Sequence, residues 1–250
     1  VCTAPLAVVW GHRAEGLCLV TLLVSIAWFV WFSTGVEEDN WVMAWSSSLA
    51  LVTLAAFIGG GAVFGIFYVP LVFAGKNTGG VRPLLSVSHL MFLVCFMGIF
   101  VAWFNETGEA VFLISTAFGS VGDGAAASGN YILRLVWFPL AAAVCFLPWS
   151  AFAWAGFCAA FTPVEKAPHF CGFLRTICLS LFCFFWFVPG MPLKLLLLVL
   201  PSLAVLTASH YEILMRRYAG IYQKGLRLVV PAAAVVACVC IVAAALDRKS

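Results

Sequence analysis

The sequence predicts an all-α protein, a polytopic integral membrane helix bundle of about seven transmembrane helices in a single domain. Three observations carry that prediction. The chain is 64% hydrophobic and only 9% charged, with a mean hydropathy of +1.11, whereas a soluble domain carries about 25% charged residues. Apolar runs close to the ~20 residues needed to cross hydrocarbon recur along the chain. The dyad alternation of an outer-membrane barrel is absent, so the spans are helices, which satisfy their own backbone groups in lipid.

The first span falls at residues 16–33, after a mixed start with His12, Arg13 and Glu15. It closes on Trp28 and Trp31, residue types that suit a membrane interface. It has a signal-peptide core's length, but Glu37-Glu38-Asp39 follow without an Ala-x-Ala-like site, so it reads as a retained helix. Residues 41–74 carry no charge. One straight helix of that length would reach about 50 Å, too long for the bilayer. The Gly59-Gly60-Gly61 triplet, Gly65 and Pro70 supply a break. The second span is therefore expected at 42–62, with 63–73 as a short interfacial piece.

Residues 76–82 form a glycine-rich basic loop, and the third span follows at 84–104, ending near Trp103. The loop 105–109 is acidic; its Asn105-Glu106-Thr107 has the pattern of a glycosylation sequon, which arises readily by chance. Residues 110–161 resist division by hydropathy: an apolar run, the stretch Gly119-Ser-Val-Gly-Asp-Gly-Ala-Ala-Ala-Ser-Gly-Asn130, then an apolar run with Pro139 and Pro148. Further spans fall at 170–188, at 191–209 with a kink at Pro201, and at 228–246. Between the last two, 210–227 holds Arg216, Arg217, Lys224, Arg227 and three tyrosines, and reads as an amphipathic surface segment.

Charge then sets orientation, because Lys and Arg favour cytoplasmic loops. With 75–83 and 210–227 both inside, an odd number of crossings must lie between residues 109 and 162. Three helices do not fit there, so 131–160 makes one crossing and 110–130 stays near the outer side. The expected result is seven crossings in the plasma or inner membrane, with a cytoplasmic N-terminus. Nine of the thirteen Lys and Arg then sit at the inner side, which favours this count over an eight-helix alternative with two crossings in 110–161. In the same arrangement Trp31, Trp103 and Trp186 mark the outer interface.

Four side chains are candidates for a ligand or ion pathway: Asp123, Arg134, His89 and Arg175. A carboxylate at the membrane centre costs about 2.5–3.5 kcal/mol, so Asp123 reads as a relay or ligand contact; its Gly-Asp-Gly setting equally suits a wet turn. Arg134 would either snorkel outward or bind an anion. Arg175 lies close enough to the inner end of its span to snorkel, and His89 follows Ser86 and Ser88 near the inner end of the third span. The glycines around Asp123, with Ala125 to Ala127, suit a close-packed small-residue helix face.

The ten cysteines form no Cys-x-x-Cys pair and nine lie in or beside apolar runs, so they read as packing residues, not as a disulfide framework or zinc site. No phosphate loop, Gly-x-Ser-x-Gly or His-Glu-x-x-His occurs. No cofactor, metal or catalytic residue is expected. The expected partners are the lipid bilayer, a small-molecule ligand and a membrane partner subunit, with no nucleic acid through this segment.

The first span ending in Trp28 to Phe32, the Gly-Ser-Val-Gly-Asp-Gly stretch and Leu195-Leu-Leu-Leu-Val-Leu-Pro-Ser-Leu-Ala204 together resemble the membrane-embedded, major-facilitator-like N-terminal region of LuxR-type regulators of gut actinobacteria. The resemblance implies a sensory membrane domain; that family's helix-turn-helix does not occur in these 250 residues. The function expected is a non-catalytic sensory or transporter-like membrane domain that binds a small ligand. The alternative is a permease subunit or a membrane-embedded enzyme, which would gather several polar side chains at one cavity.

Overall fold

The computed structural model describes residues 16–74, 82–107, 131–146, 156–158, 167–188, 193–211 and 227. These residues are helical with no strand among them. The expected last span at 228–246, the basic segment at 212–226 and the small-residue stretch at 119–130 lie outside them. The elements are α1 (Gly16–Val30), a π-helical turn (Trp31–Glu37), α2 (Trp41–Gly59), α3 (Ala62–Phe73), a 3-10 turn (Arg82–Leu85), α4 (Val87–Thr107), α5 (Tyr131–Cys145), α6 (Pro168–Phe187), a 3-10 stretch (Leu193–Leu198) and α7 (200–211). Among the described residues four helices are long and apolar enough to cross a membrane: Gly16–Glu37, Trp41–Gly59, Val87–Glu106 and Pro168–Phe187.

Local chemistry shapes the α1–α2 corner. Ser33 and Thr34 return their hydroxyls to the Val30 carbonyl at 3.3 and 2.7 Å, and Glu38 N–H reaches back five residues to Ser33 O at 3.1 Å, the wider hydrogen-bond loop of a π turn. At Gly35 a Cβ would stand 2.8 Å from the Trp41 ring, so only glycine lets that ring close on the turn. Asn40 then caps α2, its side-chain oxygen accepting from Met43 N–H at 3.2 Å, a favoured residue in that role.

α1 and α2 run antiparallel. Gly16, at the start of α1, lies against Ile58 near the end of α2, and Trp31 meets Trp45 edge-on at 5.6 Å. α2 ends at Gly60, whose φ of 80° and ψ of 174° belong to a region essentially reserved for glycine. The chain turns there, and α3 comes back. Phe64, early in α3, packs on Phe100 at 5.7 Å, while Tyr68, a turn later, reaches His89 at 5.6 Å. α4 is therefore antiparallel to α3 and parallel to α2, which it meets through Trp45–His89 at 4.1 Å and Phe57–Trp103 at 4.8 Å.

This hairpin corrects two expectations. Residues 63–73 do not behave as a surface segment: Val63 and Phe67 are fully buried, and Ile66 and Leu71 nearly so. A helix apolar on every side has no polar face to offer an interface, so packing wins. The second correction concerns sides. The segments flanking the acidic and basic loops, Asp39–Trp45 and Leu84–His89, share one end of the bundle instead of lying at opposite ends. α6 starts at this end too: Phe170 lies 5.3 Å from Phe32, and Phe173 stacks on Phe32 at 4.9 Å and on Trp31 at 5.8 Å.

The interfacial reading of Trp28 and Trp31 also changes. Both are buried, and Trp28 Nε1 donates to the Phe67 carbonyl at 3.1 Å, tying α1 to the returning helix. Trp31, Trp41, Trp45, Phe32 and Phe173 form one aromatic cluster. Each well-oriented pair is worth about 0.5–1.5 kcal/mol beyond its burial. Helices already surrounded by lipid depend on such packing, because lipid tails are as apolar as the helix faces.

α5 packs antiparallel on α6. Tyr131 O–H donates to Phe187 O at 2.9 Å, Trp186 Nε1 donates to Leu135 O at 2.8 Å, and Phe138 meets Phe182 at 5.9 Å. Beyond α6 the expected kink at Pro201 is replaced by a change of helix type. Leu193–Leu198 wind as a 3-10 helix, and Pro201 sits in the first turn of α7, where its missing N–H costs nothing.

Candidate functional site

The structure separates the four sequence candidates. Asp123 lies outside the described residues. Arg134 falls in the first turns of α5, with its side chain also outside them. His89 and Arg175 are described in full, and they occupy contrasting surroundings.

His89 sits in the first turn of α4, 5% exposed. Ser86 precedes the helix and accepts from His89 N–H at 3.2 Å, a cap that fixes the backbone beneath the ring. Nδ1 lies 2.5 Å from the Leu84 carbonyl, which can only accept, so Nδ1 carries the proton. Nε2 is then an acceptor, and Tyr68 O–H donates to it at 2.7 Å. Trp45 covers the ring at 4.1 Å. Both nitrogens are satisfied within the protein, so the imidazole clamps α3 to α4 and no described cleft reaches it.

Arg175 lies on α6, seven residues after Pro168 and so roughly 10 Å into the helix. Its Nε donates to the Gly156 carbonyl. Gly156 is itself pinned: a Cβ there would come within 2.9 Å of Leu206 Cγ on α7. Arg175 thus ties α6 to the 156–158 segment, which itself packs on α7.

It borders a cleft of about 450 Å³. Pro139 and Ala142 of α5, with Phe146 just beyond it, line one wall, and Arg175, Cys178 and Phe182 of α6 the facing one. Leu203 of α7 and Phe157 close the remainder, and Arg175 is the one charged lining residue. Each wall repeats at i, i+3, i+7, the spacing of one helix face. That spacing was visible in the sequence; what was not visible was that the two faces meet. A second cleft of about 540 Å³ lies between α3 and α6, with Val69, Phe73, Thr176, Ser180 and Phe187 in its walls and no charge. Leu179 borders both.

This chain matches no protein family, no curated protein and no solved structure. Its chemistry must therefore be read from its own residues. Among the described residues no three His, Cys, Asp or Glu gather closely enough to hold a metal ion. The described cysteines, from Cys18 to Cys183, form no disulfide with one another, and Cys171 and Cys178 are buried. Ser209 Oγ lies 3.0 Å from His210 Nδ1 and 3.8 Å from Cys171 Sγ, and that imidazole nitrogen also meets the Leu206 carbonyl at 2.8 Å. What the arrangement offers is shape and apolar surface, with one arginine among the lining residues.

Proposed function

We propose that this chain is a non-catalytic integral membrane domain, sensory or transporter-like, that binds a small ligand in the cleft beside Arg175. The observation that carries this reading is the cleft. Its volume of about 450 Å³ falls within the ~300–1,000 Å³ of small-molecule sites, which combine apolar walls with a few placed polar groups. The resemblance to the membrane region of LuxR-type regulators agrees with the sensory form. The test is native mass spectrometry of the protein released from membranes. A co-purifying small molecule that is retained by the wild type and lost from Ala143→Trp supports the reading. Identical spectra would refute it.

Contacts between the helices also bear on the sidedness of the bundle. The charge distribution alone favours seven crossings and a cytoplasmic N-terminus. The hairpin favours a second reading, in which α3 is a return leg and the ends at residues 38–45, 82–89 and 168–173 share a face. If the basic segments keep that face cytoplasmic, α1 starts outside and the passes number eight. Cysteines placed at Glu38 and Leu85, both exposed, separate the two: labelling by an impermeant maleimide from one side supports the hairpin topology, and labelling from opposite sides restores the seven-pass one.

A further inference from the structure

We infer that α1 and α7 enclose a buried hydration site, in which bound water bridges the hydroxyls of Thr21, Ser25 and Ser202. This stands apart from the α5–α6 cleft and from any ligand held there.

The first observation is a contrast between like side chains. Inside an apolar helix a Ser or Thr hydroxyl commonly returns to the carbonyl four residues back. Ser48, Thr53 and Thr207 do so, at 2.6, 2.8 and 2.7 Å. Thr21, Ser25 and Ser202 have the same option and are all more than nine-tenths buried, yet their hydroxyls meet no partner among the described residues. Leaving a buried hydroxyl unpaired is costly, so each calls for one.

The second observation is depth. α1 and α7 both come up against the start of α6, through Phe29–Phe170 at 6.0 Å and Ser209–Cys171 at 3.8 Å. Counting back from that level at ~1.5 Å per residue, Ser25 stands about 6 Å down, Ser202 about 10 Å and Thr21 about 12 Å. The three hydroxyls therefore share one layer, about a helix turn thick. α1 also packs on Leu193–Leu198, the stretch that leads into α7, so the layer extends a contact already made. Thr21 and Ser25 are four apart on one helix, with Cβ atoms about 5–6 Å from each other. That is the span of one water bonded to both at about 2.8 Å.

The third observation fixes the class of ligand. α1, α6 and residues 200–211 contain no Asp or Glu, and Arg175, at a similar depth, is turned to Gly156. A cation would find no countercharge there, whereas hydroxyls suit a neutral molecule that both donates and accepts. Pro201 adds a further acceptor, since it has no N–H to return to the Leu197 carbonyl four residues before it. Buried water makes about three hydrogen bonds, which this set supplies.

The test is an experimental map of the full chain in nanodiscs, fine enough to place waters. It should show density within about 3 Å of the Thr21 and Ser25 hydroxyls, unchanged when thallium replaces sodium and potassium. In parallel, Thr21→Val, Ser25→Ala and Ser202→Ala are compared by unfolding in mixed micelles. Each should raise the unfolding constant about fivefold, because it takes a bond from the shared water. Thr21→Ser keeps the hydroxyl and should recover most of that loss. Thr21→Val and Ser25→Ala together should cost less than the sum of the two, since both act on the same water. Density that gains thallium would overturn the inference in favour of an ion. A map with no density there would overturn it outright. Single variants that stabilise the protein or leave it unchanged would do the same, because an apolar replacement relieves a hydroxyl that has no partner.

Discussion

Two regions of this bundle surround a lone titratable residue differently. Where α1 to α4 meet, the imidazole of His89 is satisfied on both nitrogens and roofed by Trp45. Where α5, α6 and α7 meet, Arg175 donates to the Gly156 carbonyl and its side chain lines the edge of a cleft. The same sequence feature, a lone titratable residue in an apolar helix, thus gives a structural clamp in one place and a cleft-lining residue in the other. The difference is the cleft beside the group, not the group itself. A residue type in a membrane segment is therefore a poor guide to function until its neighbours from other helices are known.

Substitutions should separate the halves sharply. The largest effect is expected at Phe173→Ala, which removes a fully buried ring stacked on Phe32 and Trp31 and should cost about 3–5 kcal/mol in unfolding measured in mixed micelles. Gly60→Ala comes next: its positive φ leaves a Cβ strained, for about 1–3 kcal/mol by the same measurement. Tyr68→Phe strips the donor from His89 Nε2 and should cost about 1–2 kcal/mol. On the cleft side, Ala143→Trp at an exposed position should move stability by no more than about 0.5 kcal/mol while removing ligand binding. A cleft-side cost as large as that of Phe173→Ala would erase the distinction between the halves.

Much of the secondary structure was legible in the sequence, because an apolar run of membrane length has few alternatives to a helix. The break at Gly59-Gly60-Gly61 was legible as well. The direction of the piece after it was not. A uniformly apolar helix of twelve residues can lie on a surface or fold back, and the choice is made by Phe64, Phe67 and Tyr68 finding partners on α1 and α4. Trp28 and Trp31 misled for a related reason: indoles suit an interface, yet Trp28 fills a helix junction by donating to Phe67 O, and Trp31 fills it through ring contacts with Trp41, Trp45 and Phe173. At the candidate site Arg175 stood out as a lone charge, but its cleft depends on α5 facing α6, which no local pattern encodes. The expectations for Asp123, and for the Arg134 side chain, lie outside the described residues.

The returning helix also bears on biosynthesis. In the hairpin topology proposed above, this segment would enter and leave by a single face with no hydrophilic flank hauled through the lipid, so residues 41–73 would be delivered to the membrane in one event, as a preformed wedge. Gly60 would then be the apex that leads the way in.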